Sequence, residues 1–341
     1  MNLFLPVYKR LDEEVVSLTD TIFCDDDQLD VYSLAIGDLL IRCAIEIEAI
    51  SKELYLRLGG NEKLLDDSGR SRDLYFDTDC ISLLVEKWSI DKKKLLINNT
   101  NMYFSKEKSV IVPLHKAHKR GSSGCQWKRA YQSFKHYRSK SVKKATLGNL
   151  INALGALYIL NLYYSEESFW EEKPIKGLRE YTIDSKIFSP FVFDATNISF
   201  GDITNTQSVN SDNNMPIDDC VYIKRLTDTA FRTCHEEFCK FEIRTVLKIK
   251  QSKEYEEYIK TRPEAEKMSM PELVPLLGGR FIPIYAQDIR VLFDAIKSTI
   301  VNKEVLLNKN DTLYPELTKE AYLKTESGKQ YISDIARSLT I

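Results

Sequence analysis

The sequence predicts a mainly α-helical protein, with a helical bundle in the N-terminal half. The C-terminal half is mixed and mostly helical, with a few short β segments. Three observations carry this. Apolar residues recur at helical spacing over long stretches, as in Ile36, Leu39, Leu40, Cys43, Ile47, Ile50, Leu54 and Leu58. The 341 residues include only 13 glycines and 10 prolines, few for a turn-dense β sandwich. Residues 145–164 carry no charge, the pattern of a helix buried at the centre of a bundle. Two domains are expected, 1–170 and 175–341, with a polar loop at 201–217.

Taken in order, the first long helix is expected over 30–58, closed by Gly59 and Gly60, with Asp38, Arg42, Glu46 and Glu53 opposite its apolar stripe. A shorter helix is expected over 79–88, and the run 109–113 reads as a short extended piece. The turn Gly121–Gly124 precedes a helix over 125–138, with Trp127, Tyr131 and Phe134 on its buried side. Ser139–Ser141 should break and recap the chain before the uncharged helix. That helix is long enough to span a membrane, but Asn149, Asn152 and Asn161 oppose insertion, so a soluble bundle member is expected. Beyond Pro174, short β segments are expected around 187–188, 191–193 and 198–200. A long helix follows from 219, prolines 263, 271, 275 and 283 cut the next stretch into short pieces, and two helices close the chain over 286–302 and 317–339.

Charge is distributed unevenly. The chain sums to −2, yet between Glu107 and Glu166 it carries eleven lysines and arginines and no acidic residue. Such clustering favours a polyanion partner at one place. At its centre, Arg129 and His136 stand seven residues apart, on one face of a helix, with Gln132 on the same side. A histidine moves protons near neutrality, and neighbouring guanidinium and ammonium groups stabilise charge on a phosphorane. With an RNA 2′-hydroxyl as the attacking group, neither metal nor cofactor is required, and none is expected. The bland alternative is a solvated basic helix.

The string Trp127-x3-Tyr131-Gln132-x2-Lys135-His136-x-Arg138, followed by the Ala/Leu-rich helix from Ala145 to Leu160, resembles bacterial proteins of the HEPN superfamily. The early helix with Glu46 and Glu48 resembles the early helix of such domains, and the likeness covers residues 30–165. It implies an α-helical bundle, commonly dimeric. In active members an Arg-x4-6-His motif forms a metal-independent endoribonuclease site at the dimer interface, in toxin or antiviral-defence roles. Arg129 and His136 satisfy the widest spacing; the commoner one would put arginine at 131, where Tyr131 stands. On this reading His136 transfers the proton and Arg129 binds phosphate. Gln132, Lys135, Arg138 and Lys140 position RNA together with His118, Lys119 and Arg120 of the basic loop, and Glu46 orients a basic partner. The other reading is a non-catalytic dimerisation or adaptor module, with a protein or nucleotide regulator on the C-terminal half.

Other groups read as structural. His115 and His118 lack nearby carboxylates or thiolates and sit among like charges, which opposes a metal. Cys234 and Cys239 diverge on a helix, so buried thiols are expected there rather than zinc ligands. Seven irregularly spaced cysteines suit reduced thiols in a cytoplasmic protein, and the N-terminus has no signal-peptide pattern.

Overall fold

The computed structural model describes residues 2–166, 169–170, 183–196, 215–268, 270–279, 281–311 and 313–339, and it is mainly helical with a few short strands. The chain divides into two units. One takes Met1–Asp194, Asp212–Lys224 and Val305–Asp311; the other takes the remainder. The expected boundary at 170–175 falls outside the described residues, as do the β segment expected at 198–200 and most of the polar loop. Residues 215–224 and 305–311 return to the first unit.

In the first unit, α1 (Phe4–Thr19) and α2 (Leu34–Arg57) pack on the central α6 (Leu147–Ser165). Between them come α3 (Ser82–Trp88), α4 (Gln126–His136) and the single turn α5 (Arg138–Ser141). α2 begins at Leu34, not at 30. Ser33, in extended backbone, accepts the Ile36 N–H at 3.1 Å, while Asp26–Asp30 form a separate 3-10 turn capped by Asp25. The helix over 79–88 is real but starts earlier, as a π turn (Phe76–Ile81) that runs into α3.

α6 is buried on nearly every side, and its cap is Thr146, which accepts the Asn149 N–H. Each of its three asparagines donates from Nδ2 to a nearby backbone carbonyl, of Lys144, Gly148 and Leu157, which satisfies the amide nitrogen inside an apolar core. No described helix is long and apolar enough to cross a membrane.

The strands are short. β1 (Leu64–Leu65) and β2 (Ser71–Arg72) pair as a hairpin. β3 (Leu95–Ile97), which weak patterning concealed, pairs antiparallel with β4 (Val110–Ile111) on one edge. β5 is Phe169–Trp170; β6 (Phe188–Pro190) takes the other edge of β3. β7 (Val192–Asp194) runs parallel to the start of β8 (Tyr222–Leu226).

α4 is held close to α2 because Gly37 has no side chain. The ring of Phe134 occupies the place where a Cβ on Gly37 would stand. Trp127, Tyr131 and Phe134 are buried as expected. The helix nonetheless ends at His136, two residues short of the expected boundary. Tyr137 leaves the helical region (φ −138°, ψ 59°), and Ser139–Ser141, expected as a break, belong to α5.

The second unit holds α7 (Asp228–Lys250), α8 (Lys253–Thr261), α9 (Met270–Leu277), α10 (Phe281–Ile296), α11 (Lys319–Lys324) and α12 (Glu326–Leu339); β9 (Lys303–Leu307) follows α10 in the chain, and from Val305 its residues belong to the first unit. The helix expected from 219 starts at Asp228, capped by Thr227, because Tyr222-Ile223-Lys224 pair with β7. Pro283 is the third residue of α10, inside the first turn, where its missing N–H breaks no helical bond, so the helix spans 281–296 rather than 286–302. The closing helix over 317–339 is two helices. Thr325 turns extended between them and its Oγ1 accepts the Gly328 N–H at 3.1 Å. Within this unit the carboxylate of Asp288 on α10 is buried, and accepts from Arg244, Thr245 and Lys248 of α7 at 3.2, 3.0 and 2.9 Å.

A cation-lined cavity as the candidate functional site

A cavity of about 950 Å³ opens in the first unit between α2, the π turn, the start of α4 and the segment before α6. Six cations line it: Lys52, Arg120, Lys128, Arg129, Lys143 and Lys144. Three carboxylates, Asp30, Glu48 and Asp77, stand against them, so the lining is net positive. Tyr75 and Phe76 supply an aromatic edge, and Gln126, Gln132, Ser133 and Asn149 supply uncharged polar groups. This volume lies at the upper end of ordinary ligand sites, about 300–1,000 Å³.

The π turn sets one wall. Its wider register carries two aspartates with different duties. Asp79 takes Arg72 on both oxygens, at 2.7 and 3.0 Å, and accepts the Tyr75 N–H at 2.7 Å. Asp77, 6% exposed, accepts Arg120 Nε at 3.0 Å and Lys128 Nζ at 3.0 Å. Burial disfavours its charged form, but the hydrogen bonds from Lys128, the Thr78 N–H and Arg120 outweigh it and hold the carboxyl below its usual range.

Lys128, a buried lysine, has no proton left for a ligand. Its three donors go to Asp77 and to the carbonyls of Ala117 and Lys119. With the Trp127 indole donating to the Pro113 carbonyl at 2.9 Å, Lys128 fastens the basic loop 113–120 onto α4. That loop is consequently ordered, with Leu114 and Ala117 buried. His118 is half-buried, its Nδ1 enclosed without a hydrogen-bond partner, and burial first of all lowers its pKa. Lys119 is exposed.

The remaining lining cations are less committed. Lys144 Nζ donates to Ser133 Oγ at 3.1 Å. Among the described residues, Lys52, Arg129 and Lys143 make no hydrogen bond through their charged groups and no ion pair. Three cations thus face the cavity unspent.

Of the residues singled out from sequence, the cavity gathers Arg120, Arg129 and Gln132. It does not gather His136, Lys135, Arg138, Lys140, His118, Lys119 or Glu46. His136 is the exposed last residue of α4. Lys135 Nζ donates to Tyr131 Oη at 3.1 Å, which raises the lysine's pKa. The Arg138 guanidinium lies 5.0 Å from the Phe134 ring centroid, and Lys140 is exposed. Glu46 is half-buried, with its pKa raised by that burial. Two residues on, Glu48 lines the cavity and interacts with the Tyr131 hydroxyl.

Sequence reasoning held Lys143 and Lys144 only as part of the basic 108–144 surface, and passed over Lys52, Tyr75, Asp77 and Glu48 as site residues. The adjacent lysines just before the Thr146 cap were visible as a signal. Asp77 gave none, because its partners lie 43 and 51 residues away.

All seven cysteines are buried free thiols. Cys239 Sγ lies 3.7 Å from His235 Nε2, one turn apart on α7, and no group of three or more histidine, cysteine or acidic side chains placed to hold a metal occurs among the described residues. No family model matches the chain, and no curated protein or solved structure does either.

Proposed function

We propose that the first unit is a HEPN-like RNA-binding module that seats backbone phosphates in the cation-lined cavity. One observation carries this reading: Lys52, Arg129 and Lys143 converge on a single cavity without a carboxylate partner. Clustered cations repel one another, and the arrangement is stable when a polyanion supplies the opposing charge. The aromatic edge and the amide and hydroxyl groups suit a ligand with bases and sugars as well as phosphates.

Binding, rather than cleavage, is what a single chain's geometry supports. Cleavage through the 2′-hydroxyl needs an imidazole beside the phosphate that Arg129 holds, and His136 stands outside the cavity lining. A second copy of the chain would have to present its own histidine there.

The test uses a fluorescently labelled oligouridylate titrated with the full chain at several salt concentrations. Affinity should fall steeply, with a slope in log K against log salt of about −0.7 for each phosphate contact. A flat profile would remove the RNA reading. Incubating wild type and His136→Ala with total RNA in EDTA decides cleavage separately. Loss of cleavage in the variant alone would extend the function to an endoribonuclease.

A further inference from the structure

Two arginines meet the ring of Tyr75, and they differ in what they have left to offer. Arg72, with its Cζ 4.5 Å from the ring centroid, spends both terminal nitrogens on Asp79 and one of them also on the Asp73 carbonyl. Arg120, with its Cζ 3.8 Å from the same centroid, is tied through Nε alone, to the two oxygens of Asp77 at 3.0 and 3.2 Å. Among the described residues nothing accepts a hydrogen bond from its Nη1 or Nη2. Asp77 is itself fixed, by Lys128 Nζ at 3.0 Å and the Thr78 N–H at 2.8 Å. The guanidinium of Arg120 is therefore pinned at one edge, laid against an aromatic ring, and free along the edge that pairs with phosphate. Tyr75 is 44% exposed and lines the same cavity.

Resting on the RNA reading above, we propose that Arg120 anchors one phosphate of an unpaired nucleotide whose base stacks on the outer face of the Arg120 guanidinium, which Tyr75 backs, with Asp77 as the positioning residue. The cavity then selects single-stranded RNA over polyanions that lack bases. Charge alone, through Lys143, Lys144 and Arg129, would accept any chain of phosphates. Stacking on a guanidinium plane backed by an aromatic ring is available only to a base that is not paired.

The experiment measures binding of the labelled oligouridylate to the full chain, and its displacement by inorganic polyphosphate of equal charge. Tyr75→Leu should weaken the oligouridylate about tenfold and leave polyphosphate within about twofold, and Tyr75→Phe should restore the difference. Arg120→Gln should weaken both probes and reduce the salt slope by about one contact. Asp77→Asn should reproduce Arg120→Gln, and the double variant should add nothing to either, which a general loss of packing would not produce. Thermal melts identify any variant that fails to fold, and the Phe and Gln variants then carry the test. Equal weakening of both probes by Tyr75→Leu, or of neither, overturns the stacking platform while leaving RNA binding intact. Additive losses for Asp77→Asn and Arg120→Gln overturn the role of Asp77. Failure of both probes to bind wild type in a salt-dependent way removes the RNA reading itself.

Discussion

Two lysine runs in the first unit have similar composition and opposite fates. Lys92-Lys93-Lys94 is consumed by one short segment. Lys92 and Lys94 pair with the carboxylates of Asp218 and Asp219 at 2.8 Å each, and Lys93 Nζ donates to the Asp218 carbonyl at 2.9 Å. Among the described residues Lys143 and Lys144 form no ion pair, and both line the cavity. A run of cations is a clamp where the fold returns acidic residues to it, and a binding surface where it does not. Local charge counting cannot separate the two, because the deciding partners of the first run lie more than a hundred residues away.

Four measurements would break or sharpen that contrast. The largest effect should come from Lys93, which is fully buried, with its pKa pushed down by that burial from 10.5 to about 8. Because the folded value lies below the unfolded one, its contribution to stability is greatest above pH 10.5 and is lost as pH falls towards 8. Relative to Lys93→Met, wild type should gain up to about 3 kcal/mol of unfolding free energy across that window. Denaturant titrations at both ends would show it, and parallel pH profiles would refute it.

Next, Lys143→Glu with Lys144→Glu should weaken oligouridylate binding roughly 30-fold or more at low salt, while Lys92→Glu with Lys94→Glu changes it less than about twofold. Third, Asp218→Ala, which removes an exposed carboxylate from the clamp, should cost about 1 kcal/mol or less in denaturant unfolding and leave RNA affinity unchanged. Smallest of all, alanine at Lys135, Arg138 and Lys140 together should change affinity less than about threefold. A loss as large as that from Lys143 and Lys144 would move the binding surface beyond the cavity, along the end of α4.

Much of the helical scaffold was legible in the residues themselves. The stripe from Ile36 to Leu54 is buried as spaced, Gly59 closes α2 with φ +84°, and the uncharged stretch is the core of the first unit. Local signals placed these because spacing and caps are local causes. Boundaries failed where a distant partner decided them. Residues 222–226 carry apolar positions that fit a helix as readily as a strand, and sheet partners distant in the chain, β7 among them, made them a strand. The candidate site was half legible. The basic window pointed to Arg120, Arg129 and Gln132. His136 closes the same helix as Arg129 but is exposed and lies outside the cavity lining, and Tyr137 ends that helix before Arg138. Glu46 and Glu48 are two positions apart on α2, about 200° around the helix, and only the latter reaches the cavity.

The π turn at Phe76–Ile81 holds one more residue per turn than an ordinary helix would. Removing a single residue there would let the segment relax to the common pitch, turning what precedes it by about 100° relative to α3. Asp77 would rotate out from beneath Arg120 and Lys128, and Phe76 out of the core it shares with the bundle. A chain shortened in this way would loosen the loop at 113–120 and leave Lys128 buried without its carboxylate, so for this protein an insertion or deletion is a more consequential kind of variation than most substitutions.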